Sequence, residues 1–477
     1  MRLKMEGGKF LINKVWEQNG KYYVYDAQRD TYRKISRGLY DLISEKKEVS
    51  NDDVIGEEYR NLQQDGFFRD INIEEFCHPL TDSLEYYLNR KLSLVTLQIT
   101  QDCNLRCSYC PYTGNDNVNR LHKKKYMDID LAKKAIDYLY AHSIDSEKIT
   151  IGFYGGEPLL AFDTMKSVVD YAHNLIQDKL LSFTITTNAT LMNREILEFL
   201  NDNNFDLVIS IDGPKEINDA NRVFANVKDS VFNKVMENIE IIYREYPDLF
   251  NRTTINMVID PRFSLDKYAE LFNINEAMRK IKVQSTVLDD TYKSIKNHFS
   301  DEFMESYYQY KEEMGKFLFE GNNLSDRVSY QLGMPLFNSL FERIINGFDE
   351  KWGFSKNICP SGPCIPGATR WMVDINGNFF PCERISETVE ENVIGNIEEG
   401  FNLEKAKFIL NIHNLSKDKC INCFAFRHCD GCIKKYEGCI SGNEEQLENE
   451  CNQIRAGFDN ILHDIINFNE RYGYYGQ

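Results

Sequence analysis

Three cysteines, Cys103, Cys107 and Cys110, stand in C-x3-C-x2-C spacing directly after an apolar, β-branched run. No other stretch constrains the chain as much, because this spacing gathers three thiols on one short loop at the end of a predicted strand. Nine of the other ten cysteines lie between Cys359 and Cys451. An odd total of thirteen fits full disulfide pairing badly, so metal ligation is the better reading of both knots.

From about residue 92 a regular rhythm surrounds the first knot. Apolar runs at 93–100, 148–154, 182–187, 207–211, 253–259 and 281–287 alternate with helical patterns at 130–142, 162–178, 193–203 and 229–246. Strands alternating with helices predict parallel β/α units, and six such units make an α/β fold, a partial (β/α)6 TIM-like barrel. Its active site belongs at the C-terminal strand ends, where the three cysteines fall. Residues 1–82 read differently. Runs at 9–16, 21–25 and 31–35, with the turn signal Asn19-Gly20 between the first two, precede amphipathic segments at 38–45 and 52–65. These features predict a small β-hairpin-plus-helices domain. The barrel is expected over 90–295, a helical bridge over 296–357, and from 358 to 477 a segment of short strands, turns and cysteines held together by metal more than by a core.

Composition narrows the partners. Lysine plus arginine number 56 against 74 for aspartate plus glutamate, a net charge of -18, and no basic block follows a phosphate backbone, so nucleic acid is not expected. Residues 1–10 carry charge where a signal peptide needs an apolar run, and no stretch reaches the apolar length of a membrane span. A cytoplasmic protein without a membrane partner is expected.

Three ligands are one short of the four that a [4Fe–4S] cluster takes, and an open position suits chemistry better than structure. C-x3-C-x2-C with Tyr109 before the last cysteine resembles the signature of the radical S-adenosylmethionine (radical SAM) superfamily. The resemblance implies that the open iron binds S-adenosylmethionine and that electron transfer splits it to a 5′-deoxyadenosyl radical. It extends to later strand ends. Gly155-Gly156-Glu157 matches the segment that meets the cofactor's amino group, Asn188 and Ser210 match residues that contact its ribose or carboxylate, and Arg222 matches an arginine for that carboxylate. Taken singly, each is an ordinary cap or turn residue.

The distal block reads Cys359-x4-Cys364-x17-Cys382, then Cys420-x2-Cys423-x5-Cys429-x2-Cys432, then Cys439 and Cys451. It resembles the SPASM extension of radical SAM enzymes that act on peptides and proteins. The resemblance implies two auxiliary [4Fe–4S] clusters, three in all. Cys359, Cys364, Cys382 and Cys432 would hold one, and Cys420, Cys423, Cys429 and Cys451 the other. Relatives have three residues where Cys429 and Cys432 are separated by two, and Cys439 is a spare that could replace Cys451. A small zinc site is the alternative for the Cys420–Cys432 group. Cys77 is expected to be a buried thiol belonging to neither set.

Residues 1–82 resemble the winged-helix-like leader-recognition element of peptide-modifying enzymes, which would bind an extended precursor leader by β-augmentation. A structural cap for the barrel is the other reading. The whole resembles the maturases that install thioether crosslinks in cysteine-rich ribosomal peptides (sactipeptides and ranthipeptides), with a flavodoxin or ferredoxin as electron donor. Glu383, directly after Cys382, stands where sulfatase-maturating relatives place an aspartate, and it is the candidate general base. Rival readings are an anaerobic sulfatase-maturating enzyme, a carbon–carbon peptide cyclase, and a non-catalytic iron–sulfur sensor or scaffold.

Overall fold

The computed structural model describes residues 4–5, 9–10, 13–45, 54–69, 73–113, 119–289, 298–325, 327–346, 355–360, 362, 364–440 and 444–473. They fall into two compact units. One comprises residues 83–338 and 365–406, the other residues 1–82, 339–364 and 407–477.

The first of these is the predicted α/β fold. Strands Leu94–Thr100, Lys148–Gly155, Leu180–Thr187, Phe205–Ser210, Thr253–Ile259 and Lys282–Val287 lie side by side in chain order, every pairing parallel. Parallel strands are covered on both faces, which is why they read as nearly unbroken apolar runs. Phe153, Phe183 and Phe205 stack across three neighbouring strands at ring separations of 5.2–6.5 Å. All three are buried, each worth about 2–3 kcal/mol of apolar transfer. Helices Ile129–Ala141, Arg194–Asp202 and Val231–Glu245 begin at the side-chain caps Asp128, Asn193 and Ser230, each of which accepts first-turn N–H groups left without helical partners.

The sheet does not stop at six strands. Trp371–Val373 pairs parallel to Leu94–Thr100, with Trp371 opposite Val95, and the antiparallel strands Asn378–Phe380, Gly395–Asn396 and Gly400–Phe401 continue outward to ten strands. Trp371, Phe379 and Phe401 meet at 4.5–5.2 Å and gather around Tyr138 of the first barrel helix. Residues 365–406, which sequence places with the cysteine-rich terminus, therefore pack with the barrel through an aromatic core.

In the other unit, Asn13–Gln18, Lys21–Asp26 and Thr31–Ile35 form an antiparallel sheet. The first strand starts later and runs further than the expected 9–16. Asn19 and Gly20 at φ 52° and 70° make a two-residue turn that pairs Gln18 with Lys21, and this register carries the strand through Gln18. Lys9–Phe10 pairs with Lys4–Met5 instead. Helices Arg37–Ser44 and Val54–Gln64 bury Leu39, Ile43, Tyr59 and Leu62 against Val24 and Ile35. The first two residues of the helix expected from residue 52 lie outside the described residues. The helix Glu444–Tyr472 also belongs here, and its Glu470 accepts hydrogen bonds from Lys21 and Tyr23 at 2.6 and 2.8 Å. Among the described residues, no helix is long and apolar enough to cross a membrane.

Candidate functional site

At the C-terminal end of Leu94–Thr100 the chain folds into the three-cysteine loop, which is fixed mainly through its backbone. Arg106 N donates to Val223 O, Ser108 N to Asn221 O, and Ala225 N to Asn104 O, at 2.8–2.9 Å. Asn104 Nδ2 donates to Thr190 Oγ1, and Asn188 Nδ2 to Asn104 Oδ1. Cys103, Cys107 and Cys110 lie within electrostatic reach of one another. Burial pushes the Cys103 and Cys107 thiols up to about 12, with Glu157 adding to the effect at Cys103. Such thiols keep their protons until a positive metal centre replaces them.

Gly155 and Gly156 are required by backbone crowding. Gly155 sits at φ 141°, and a Cβ on it would lie 2.0 Å from Thr100 O. A Cβ on Gly156 would lie 2.0 Å from Asp102 O. The neighbour that demands glycine is thus the start of the cysteine loop, and Gly156 N and Glu157 N bond to those same two carbonyls at 2.9 and 2.8 Å. Glu157 accepts from Leu159 N, Thr187 Oγ1 and Asn188 N, and even so burial pushes its carboxyl above the ordinary range. Asn188 Oδ1 accepts from Thr190 N and Oγ1. Ser210 ends its strand at the same mouth and is buried.

Arg222 is committed to a partner that sequence reasoning passed over. Its Nε and Nη2 donate to Asp212 at 2.8 and 3.0 Å, and Tyr109 Oη donates to the same carboxylate at 2.6 Å. Burial works against the Arg222 charge, and Asp212 more than offsets it. Asp212 also accepts from Val258 N and so ties two neighbouring strand ends to the cysteine loop. Its only sequence signal was its place in Ser210-Ile211-Asp212-Gly213-Pro214, where the serine drew the attention.

Glu383 follows the short strand Asn378–Phe380 in the barrel unit. Its Oε1 accepts from Arg370 Nη1 at 3.1 Å, while its buried Oε2 has no protein partner. Arg370 and Glu383 thus form an ion pair that leaves one carboxylate oxygen unpartnered. Tyr154, the residue before Gly155, stands within electrostatic reach of Glu383, Cys110, Arg384 and Arg120. Arg120 carried no motif signal. It is 7% exposed, its Nε donates to both oxygens of Glu387 at 2.8 and 2.9 Å, and its guanidinium lies 3.8 Å over the Tyr112 ring.

The distal cysteines divide between the units. Cys382 belongs to the barrel unit, and Cys359, Cys364, Cys420, Cys423, Cys429, Cys432 and Cys451 to the other. Cys420, Cys423, Cys429 and Cys451 line one pocket with Phe426, Tyr436, Ile454 and Arg455. Burial pushes Cys420 and Cys429 up to about 12 and 11. Cys432 lies within electrostatic reach of Cys364. Cys77 departs from expectation. It is partly exposed and within reach of Cys359, because Cys77 N bonds to Ile358 O beside the parallel pair Glu75–Phe76 and Asn357–Ile358. The side chain of Cys439 lies outside the described residues.

Among the described residues, no trio of His, Cys, Asp or Glu is gathered tightly enough to share a single ion. Ligands of an iron–sulfur cluster bind different irons and need not be so close. The donor sets fit clusters: three thiols on a braced loop at the barrel mouth, and four around one pocket lined by apolar side chains.

Residues 97–273 match the model of the radical SAM superfamily. A cysteine-type anaerobic sulfatase-maturating enzyme of Clostridium novyi is 26% identical over 357 residues, 73% of this chain and 89% of that protein. An uncharacterized protein of Methanocaldococcus jannaschii is 39% identical over 159 residues, and the match spans about half (51%) of its length. Among solved structures, native anSMEcpe with bound AdoMet superposes with a TM-score of 0.54 at 22% identity, over 79% of this chain and 100% of that one, a likeness of fold. Three thiols after the first strand of a parallel barrel, and a family model centred on that barrel, agree: the chain carries a radical SAM domain over residues 97–273.

Proposed function

We propose that this chain is a peptide maturase that joins a cysteine sulfur to a carbon of the same ribosomally made peptide as a thioether. The observation that carries the reading is the four-cysteine pocket in the unit that also holds the amino-terminal sheet: it equips the chain with a second cluster site besides the one in its radical SAM domain. Cys103, Cys107 and Cys110 would hold the cluster that binds S-adenosylmethionine, and Cys420, Cys423, Cys429 and Cys451 an auxiliary cluster. Cys359, Cys364, Cys382 and Cys432 are assigned to a third. Bound there, S-adenosylmethionine and the clusters would supply a hydrogen-atom acceptor and an electron acceptor, so that a peptide C–H loses its hydrogen atom, the thiol its proton and an auxiliary cluster takes the remaining electron as the carbon–sulfur bond forms.

The protein's own part is positioning and proton handling. Asp212 orients Arg222 and Tyr109, Glu157 clamps two strand ends, and Glu383 Oε2 is an open acceptor for the thiol proton. The three-stranded sheet at 13–35 leaves strand edges on which an extended leader could add. An amino-terminal module that resembles a leader-recognition element favours a peptide-crosslinking reading over sulfatase maturation. Reduction by flavodoxin or ferredoxin completes the proposal.

The test is anaerobic incubation of reconstituted enzyme, reductant and S-adenosylmethionine with synthetic short cysteine-rich peptides. Loss of two hydrogens with sulfur retained and no longer alkylatable is expected. Loss of sulfur would assign the chain to formylglycine formation instead.

A further inference from the structure

Among the described residues near the barrel mouth, Arg120 Nη1 and Nη2, His122 Nδ1 and Glu383 Oε2 are buried without a hydrogen-bond partner, and they differ in kind. Arg120 is fixed from two sides. Glu387 takes its Nε, itself braced by Gln98 Nε2 at 2.6 Å, and the Tyr112 ring supports the guanidinium face. Asn119 Oδ1 accepts from Arg120 N and Glu387 N and locks the pair's backbones together. Yet Nη1 and Nη2 of Arg120 are buried without a hydrogen-bond partner. An unmade bond of this kind is costly, more so where the group is charged. A rigid, stacked guanidinium with two unpaired donor nitrogens has the form of a binding group.

The surroundings select the ligand. Glu387 already neutralises Arg120, and burial pushes the Glu387 carboxyl upward, so another anion beside the pair would add uncompensated negative charge. A neutral acceptor has no such cost. Tyr154 has both Arg120 and Glu383 in its electrostatic surroundings, together with Cys110 of the cluster loop. A group held by Arg120 thus lies on the Glu383 side of the mouth, away from the Asn188–Arg222 side.

We propose that the Nη1 and Nη2 groups of Arg120 hold a main-chain carbonyl of the reacting peptide segment, placing its cysteine beside the open Oε2 of Glu383. The assignment rests on the peptide-maturase reading. Arg120 is then a substrate-binding residue, and it selects for backbone position, not for side-chain identity.

The experiment compares wild-type enzyme with Arg120→Gln on a cysteine-containing peptide that wild type modifies, with KM for peptide and for S-adenosylmethionine determined separately. A rise in peptide KM of about tenfold or more, with KM for S-adenosylmethionine unmoved, is expected from loss of a charge-assisted bond. Equal peptide KM overturns the proposal, as does a rise confined to S-adenosylmethionine, which assigns the nitrogens to the cofactor. Thermal unfolding and iron content report folding. If Arg120→Gln leaves Glu387 stranded and fails to fold, Arg120→Gln/Glu387→Gln removes both charges and is read the same way. Peptides carrying a thioamide in place of one carbonyl, a weaker acceptor, give an independent reading on wild type. One position should raise KM several-fold, and no sensitive position overturns the proposal. Should wild type modify no peptide at all, the maturase reading falls and this one with it, a failure distinct from equal KM values.

Discussion

The barrel mouth and the four-cysteine pocket are both built to gather thiols, but they do it in opposite ways. At the mouth, Arg106, Ser108 and Ala225 anchor the cysteine loop by backbone hydrogen bonds, Gly155 and Gly156 let the next strand end lie against it, and Asp212 pins Tyr109 and Arg222. In the pocket, Cys420 ends a four-residue helix, Cys429 follows a single 3-10 turn, and the local apolar cluster is Phe76, Cys420 and Phe426. The mouth is organised by the barrel that carries it. The pocket has short turns and that small apolar cluster as its local support. A site for chemistry tolerates loss of its metal, whereas a site that replaces a core does not.

Stripping iron is the sharpest way to break this contrast. Cys429→Ser or Cys451→Ser should cost the Cys420–Cys451 region its cooperative thermal transition, while Cys103→Ala, Cys107→Ala and Cys110→Ala together should remove about four of twelve irons and all 5′-deoxyadenosine with the barrel transition kept. Equal losses of thermal stability in both variants would erase the distinction. Backbone crowding comes next. Gly156→Ala places a Cβ against Asp102 O and should destabilise the barrel by about 2 kcal/mol or more and abolish 5′-deoxyadenosine formation, as read by denaturant melts and product assay.

A smaller effect is expected at Glu383. Glu383→Gln keeps its shape and the contact with Arg370 but removes basicity, and it should slow crosslinking by about a hundredfold with iron content unchanged. Crosslinking at the wild-type rate would hand thiol activation to another group. The least effect belongs to Glu470 on the long terminal helix. Hydrogen bonds from Lys21, Asn19 and Tyr23 hold its carboxyl down to about 2. A depressed carboxyl contributes stability above its ordinary value near 4.5 and loses it as pH falls towards 2, so Glu470→Gln should lower the melting temperature slightly at pH 7 and not at all at pH 2. The exposed position keeps the difference small.

How much of this could be read from residues alone follows from the range of the forces involved. The six barrel strands, their order and the thiol loop announce themselves through local pattern: Thr253–Ile259 and Thr31–Ile35 fall where the runs place them. The extension Trp371 to Phe401 does not, because a three-residue strand is meaningless until its partner 276 residues earlier is known, as with Trp371 opposite Val95. Asp212 and Arg120 were missed for a related reason. A buried ion pair has no periodicity, and only the folded chain shows which acid meets which base. Cys77 looked isolated in the sequence and stands beside Cys359 because a two-residue strand brings it there.

The pairing of Trp371–Val373 with Leu94–Thr100 has a practical consequence for anyone recombining such enzymes. Cutting the chain after the sixth barrel strand would leave the first one as a bare edge with hydrogen-bonding groups exposed and Tyr138 stripped of its aromatic neighbours, a template for aggregation. A transplantable catalytic cassette must therefore be discontinuous in sequence, carrying residues 365–406 along with 83–338, and a chimera designed with its crossover at the first distal cysteine would divide a single sheet between two parents.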